Sequence, residues 1–164
     1  VTIYYPYHKE EFVKSLSPLG SLLCFDVGTK RIGIAVSDPM RLVASPLCVI
    51  HKSKFTQAAG EIKKVLFEYN PVAIVVGYPY EMNGQEGVSC QRVRHFCYNF
   101  LNFLKEDNLE ISLLLWDERL STKGAESSML EGDLNRKNRA GRRDKIAACL
   151  ILQGFLDFSN LTRK

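Results

Sequence analysis

A carboxylate sits inside an otherwise apolar strand pattern near the start of this chain. Residues 22–36 read LLCFDVGTKRIGIAV, two apolar runs joined by a short turn, which predicts a β-hairpin with Asp26 late in its first strand. Burying an unpaired charge is costly, so Asp26 needs a metal, a cation or hydrogen-bond donors. Two readings are open from this stretch: a first ligand of a divalent-metal site, or an aspartate that starts the turn and bonds nearby amides. Gly28 and Gly33 allow other backbone or a ligand to approach closely.

The rest of the chain constrains what surrounds this hairpin. Strands are predicted at about 21–27, 31–37 and 43–50, with Asp38-Pro39 turning the chain between the second and third. Ala58, Ala59, Ile62, Leu66 and Tyr69 recur at helical spacing over residues 55–69, and Asn70-Pro71 stops that helix. Residues 72–77, VAIVVG, form a continuous apolar run, the pattern of a strand buried on both faces. A loop over 78–84 follows, then a helix from about 89 to 105 with Val93, Phe96, Cys97, Phe100 and Leu104 on one stripe. Residues 111–116 predict a fifth strand, and Ser121 or Thr122 is placed to cap a helix through about 130, ended by Gly132. A basic loop and a last helix over about 143–158 complete the pattern. Three antiparallel strands followed by helix–strand–helix–strand–helix predict a mixed five-stranded α/β sheet, three strands antiparallel and two parallel, with helices on both faces. Residues 1–20 read as an N-terminal extension with a helical turn near residues 9–16, and residues 21–160 as one domain.

Length and composition agree with this. The 164 residues suffice for a full core, and 46% of them are apolar. Five cysteines (Cys24, Cys48, Cys90, Cys97 and Cys149) are an odd number without CxxC spacing, which argues against a disulfide framework or a cysteine zinc site and for a reducing compartment. No apolar run is long enough to span a membrane, and no signal or transit pattern is visible. The expected location is cytoplasmic, or organellar if a leader preceded Val1.

Four acids fall where such a sheet would gather them: Asp26 at the end of the first strand, Asp117 and Glu118 at the end of the fifth, and Asp144 opening the last helix. Asp144, Ala148, Ile151 and Phe155 share one helical face, so packing of that face aims Asp144 at the sheet. Converging carboxylates repel unless a cation neutralises them, and hard oxygen ligands suit Mg²⁺ or Mn²⁺. The alternatives are a solvated strand end or an Arg119 pair for Asp117 and Glu118, and a helix N-terminus for Asp144. Arg136, Lys137, Arg139, Arg142, Arg143 and Lys145 cluster beside Asp144, a pattern that attracts phosphate; the alternative is an exposed basic loop without a partner. Arg31, Arg92, Arg94 and Arg119 extend the basic surface. His8, His51 and His95 lack metal-ligand spacing, and no nucleophile elbow, Walker A loop or dinucleotide fingerprint is present.

LLCFDVGTKRIGIAVSD, VVGYPYEMNGQEG, LLLWDERLST and DKIAACLILQGFLD, in this order, resemble the YqgF (RuvX) family over about residues 21–158. The resemblance implies an RNase H-like fold related to RuvC, and a metal-dependent nuclease acting in Holliday junction resolution or pre-16S rRNA processing. It implies catalytic and metal-binding roles for Asp26, Asp117, Glu118 and Asp144 with Mg²⁺ or Mn²⁺. Two departures stand out: Tyr78 and Tyr80 replace the usual leucines, and Arg142-Arg143 replaces a more apolar lead-in to Asp144. The expected partner is structured RNA or branched DNA, gripped by Lys30, Arg31, Arg119, Arg136, Lys137, Arg139, Arg142 and Arg143, with the chain a monomer or homodimer. Two rivals are a nucleic-acid-binding module without catalysis, and an actin-like ATPase suggested by Asp26-Val27-Gly28-Thr29, which would need a second such domain.

Overall fold

The computed structural model describes residues 3–121 and the backbone of 136–163, with side chains in that last segment from Arg143 onward. The strands are β1 (Ile3–Tyr4), β2 (Leu22–Val27), β3 (Arg31–Ser37), β4 (Ala44–His51), β5 (Ala73–Tyr78) and β6 (Leu113–Asp117). The helices are α1 (Lys9–Ser15), α2 (Phe55–Tyr69), α3 (Val88–Lys105) and α4 (Arg136–Thr162). The sheet runs in the order β1-β6-β5-β2-β3-β4. β2, β3 and β4 form the antiparallel meander, while β5 pairs parallel with β2 and β6 parallel with β5.

Among the described residues the sheet has six strands, not five. Ile3 and Tyr4 pair parallel with Leu113 and Leu114 of β6, so the extension covers an edge that would otherwise expose unpaired backbone groups. Arg41 holds the end of the extension: its guanidinium donates to the carbonyls of Ser17, Pro18 and Gly20. A two-residue strand carries no readable periodicity, which is why the sequence did not announce it.

Strand alternation divides the core in two. On one face Leu23, Phe25, Ile32, Ile34, Ile74, Val76 and Leu115 pack beneath α2 and α3. On the other, Leu22, Cys24, Ala35, Val75, Leu114 and Trp116 pack beneath α1 and α4, where Phe155 sits edge-on to Phe12 and Trp116 at 5.6 Å each. Every residue of β5 is buried, as the apolar run predicts. Ala148, Ile151 and Phe155 are buried on the sheet, so α4 presents the expected face.

α4 begins earlier than the pattern suggested. Residues 136–142 are helix rather than loop, in keeping with the good intrinsic helix propensity of Arg, Lys and Ala. Asp144 therefore lies about two turns inside α4 and not at its start, beyond the reach of the helix N-terminus. The expected cap at Thr122, the helix through about 130 and Gly132 fall outside the described residues. Among the described residues no helix is long and apolar enough to cross a membrane.

Candidate active site

Alternation along β2 puts Asp26 on the same face as Leu22 and Cys24, the face that α4 covers. Its neighbours on that face are two glycines. Gly33 is its direct partner on β3. Gly77 on β5 follows Val76, the partner of Phe25, and so stands level with Asp26 on the other side. Neighbouring strands are about 4.8 Å apart, so each glycine opens a gap one strand away from the carboxylate.

Both gaps are filled by acidic residues. A Cβ on Gly33 would overlap the backbone carbonyl of Asp144 and lie 3.3 Å from the Asp144 Cβ. α4 thus rests its backbone on β3 at the point where a side chain is missing. A Cβ on Gly77 would lie 2.5 Å from Glu118 Oε1 and 2.8 Å from Ile151 Cδ1. The missing side chains let Asp144 approach Asp26 from one side and Glu118 from the other. Cys24 registers the same convergence: burial, and then the charges of Asp26 and Glu118, push its thiol well above the ordinary range.

Asp26 and Asp144 line one cavity of about 210 Å³ together with Gly28, Thr29, Lys30 and Arg31. The β2–β3 turn is pinned there by Gly28 N–H donating to the Arg31 carbonyl at 2.8 Å and by Lys52 Nζ donating to the Gly28 carbonyl at 3.1 Å. Arg31 Nε lies 2.8 Å from Asp144 Oδ2. That oxygen is buried and, among the described residues, has no aligned hydrogen-bond donor, so Arg31 supplies charge to it rather than a hydrogen bond. Among the described residues no three His, Cys, Asp or Glu side chains close on a common point as they stand. The guanidinium supplies positive charge where carboxylates converge.

Asp117 and Glu118 diverge although they are consecutive. Asp117 ends β6 and its carboxylate accepts from Arg119 three ways: from the backbone N–H at 3.0 Å, from Nε at 3.0 Å and from Nη2 at 2.8 Å. This pairing raises the pKa of Arg119. Asp117 faces a separate cavity of about 300 Å³, lined also by Tyr7, Lys9, Tyr80 and Arg119. Asp26 and Asp144 thus share one cavity, Glu118 reaches the gap at Gly77, and Asp117 is held by Arg119.

Of the predicted basic residues, Lys30 and Arg31 line the Asp26 cavity, Arg119 is held by Asp117, and Arg143 is exposed on α4. The side chains of Arg136, Lys137, Arg139 and Arg142 lie outside the described residues. Tyr78, one of the two unusual tyrosines, is fully buried and donates its hydroxyl to Glu86 at 2.6 Å, which fastens the loop after β5 back to the end of that strand. Burial, followed by that bond, raises its pKa. His95 is exposed and bonds Asn99, as a surface residue would. The sequence reading missed Tyr7 and Lys9, which come from the extension and carry no motif; only the fold brings them beside Asp117.

A mixed sheet with an antiparallel meander, two further parallel strands and a long helix across β2, β3 and β4 defines the RNase H-like class. Solved structures share this fold: Thermus thermophilus RuvC matches with a TM-score of 0.51 at 16% identity, over 85% of this chain and 96% of that one. The yeast mitochondrial Holliday junction resolvase matches with a TM-score of 0.52 at 12% identity, over 94% and 85%. Within that class the chain belongs to the family described as RuvX: Holliday junction resolvase, whose model matches residues 20–158. Relatives named "Putative pre-16S rRNA nuclease" are 43% identical in Cereibacter sphaeroides, over 90% of this chain and 89% of that protein, and 45% identical in Paracoccus denitrificans, over 90% of each.

Proposed function

We propose that the chain is a divalent-metal-dependent nuclease that hydrolyses phosphodiester bonds in structured, pre-16S-type RNA. Residues 21–160 form the nuclease domain and residues 1–20 extend it. Asp26, Glu118 and Asp144 hold Mg²⁺ or Mn²⁺. The observation that carries this reading is the pair of glycines flanking Asp26, each gap admitting one further acidic residue. The donor set fits a hard cation: three carboxylates, one with a buried oxygen lacking an aligned donor among the described residues. Bound there, such an ion supplies charge neutralisation at a phosphoryl group and acidifies water. The chain's own residues do the rest. Asp26, on a central strand, fixes the position of the site, and Asp144, paired with Arg31, would turn the same carboxylate to the ion. Arg31 and Lys30 line the same cavity and would take a backbone phosphate. The basic first turns of α4, with Arg136, Lys137, Arg139, Arg142 and Arg143, grip phosphates further along.

The relatives' names favour RNA, while the family description supports a second reading, a branched-DNA junction. The test is cleavage of a pre-16S rRNA fragment and of a four-way DNA junction, each with Mn²⁺ and with chelator. Asp26→Asn should abolish cleavage and leave the melting temperature within a few degrees of wild type. Glu118→Gln should do the same, whereas Asp117→Asn should keep metal-dependent turnover. Undiminished cleavage by Asp26→Asn would remove the proposed site. Binding with a steep salt dependence but no cleavage under any metal would favour the inactive binding module.

A further inference from the structure

The cavity on the Asp117 side is built unlike a solvated surface. Tyr7 is 70% exposed, yet its ring is held: it stacks on Tyr5 at 5.9 Å and 18°, and meets His8 edge-on at 4.4 Å. Leu120, 51% exposed, stands on the same cavity. Arg119 lies over the Tyr80 ring at 5.1 Å, and Asp117 clamps its guanidinium in that position. The wall is therefore a pre-organised planar cation on an aromatic ring, not a mobile surface charge. Lys9 adds a second cation to the lining.

These groups select one kind of ligand. Asp117 neutralises Arg119 and repels an anion placed deep in the cavity, so phosphate alone is a poor occupant. Three charged side chains make it a poor site for an apolar segment. A flat polarisable ring suits a lining of Tyr7, Leu120 and the Arg119–Tyr80 pair, with attached negative charge left for Lys9. Asp117, which lines this cavity, is followed directly in the chain by Glu118, a member of the proposed acid group. We propose that this cavity is a stacking subsite for one unpaired nucleobase of the RNA substrate, next to the cleaved bond. The inference rests on the nuclease reading for its substrate, and Tyr7 and Lys9 lie before the residues the family model matches.

The test separates base from phosphate. Two RNA hairpins carry single-stranded tails of equal length, one with bases and one abasic, so their charges match. Binding is measured by fluorescence anisotropy in chelator at fixed salt, where cleavage plays no part. Wild type should bind the base-bearing tail at least about fivefold more tightly, the lower end of what stacking one base contributes. Tyr7→Ala should erase that difference while leaving affinity for the abasic hairpin unchanged, and Tyr7→Trp should restore it. Equal affinity of wild type for the two hairpins, or a preference that survives Tyr7→Ala, would overturn the subsite. A failed cleavage assay with a preserved tail preference would instead count against the nuclease reading alone.

Discussion

Gly33→Ala is the substitution that most directly tests how the site is assembled. The added methyl would overlap the Asp144 carbonyl and the helix backbone behind it, not the end of a side chain that can swing away. Both partners are constrained: β3 is paired on both edges, and α4 is packed through Ala148, Ile151, Leu152 and Phe155. Overpacking a well-packed core costs about 1–3 kcal/mol, and a clash with backbone belongs at the upper end. Relief requires α4 to lift from the sheet at Asp144, which moves that carboxylate away from Asp26. Urea denaturation should therefore show a loss of about 2–3 kcal/mol with an unchanged m-value, and Mn²⁺ titration followed by calorimetry should show weakened binding. A variant as stable as wild type within about 0.5 kcal/mol, with metal affinity intact, would mean that α4 does not rest on β3 there.

Gly77→Ala should be milder in stability, about 1 kcal/mol, because the groups it meets are the movable Glu118 carboxylate and the tip of Ile151; its cleavage rate should nevertheless fall, as Glu118 is displaced. Arg31→Met should act in opposite directions on two ligands: Mn²⁺ affinity should rise up to about fivefold as a competing, partly exposed ion pair is lost, and RNA affinity should fall. Phe155→Ala, at a fully buried contact with Phe12 and Trp116, should cost about 3–5 kcal/mol in urea denaturation. Burial pushes the Cys97 thiol up to about 12 from 9.0, so the stability it contributes is complete below pH 9.0 and lost as pH rises toward 12. Cys97→Ala should flatten the alkaline fall of the urea midpoint.

Much of the layout was legible because long elements carry periodicity. The β5 run, the α3 stripe and the α4 face all landed on the core as their spacing indicated. Asp26 was legible for a different reason: a charge in an apolar strand demands a partner. The split between Asp117 and Glu118 was not legible, since adjacent residues at a strand end can turn either way. Only the bend into the 3-10 turn at Glu118–Leu120, together with the Arg119 clamp, decides it. Likewise, Gly33 signalled a close approach without saying that α4 makes it. The edge strand β1 and the Tyr7 wall depend on residues 3–9 meeting residues 113–120 across the fold, which no local pattern encodes.

In the proposed site Asp26, Glu118 and Asp144 share one divalent ion while Asp117 takes no part. A crystal soaked in Mn²⁺, with anomalous difference density recorded, tests it most directly. A peak is expected within the Asp26, Glu118 and Asp144 carboxylates, with the Arg31 guanidinium moved off Asp144. No density among those three at saturating Mn²⁺, or a peak on Asp117 instead, would contradict it.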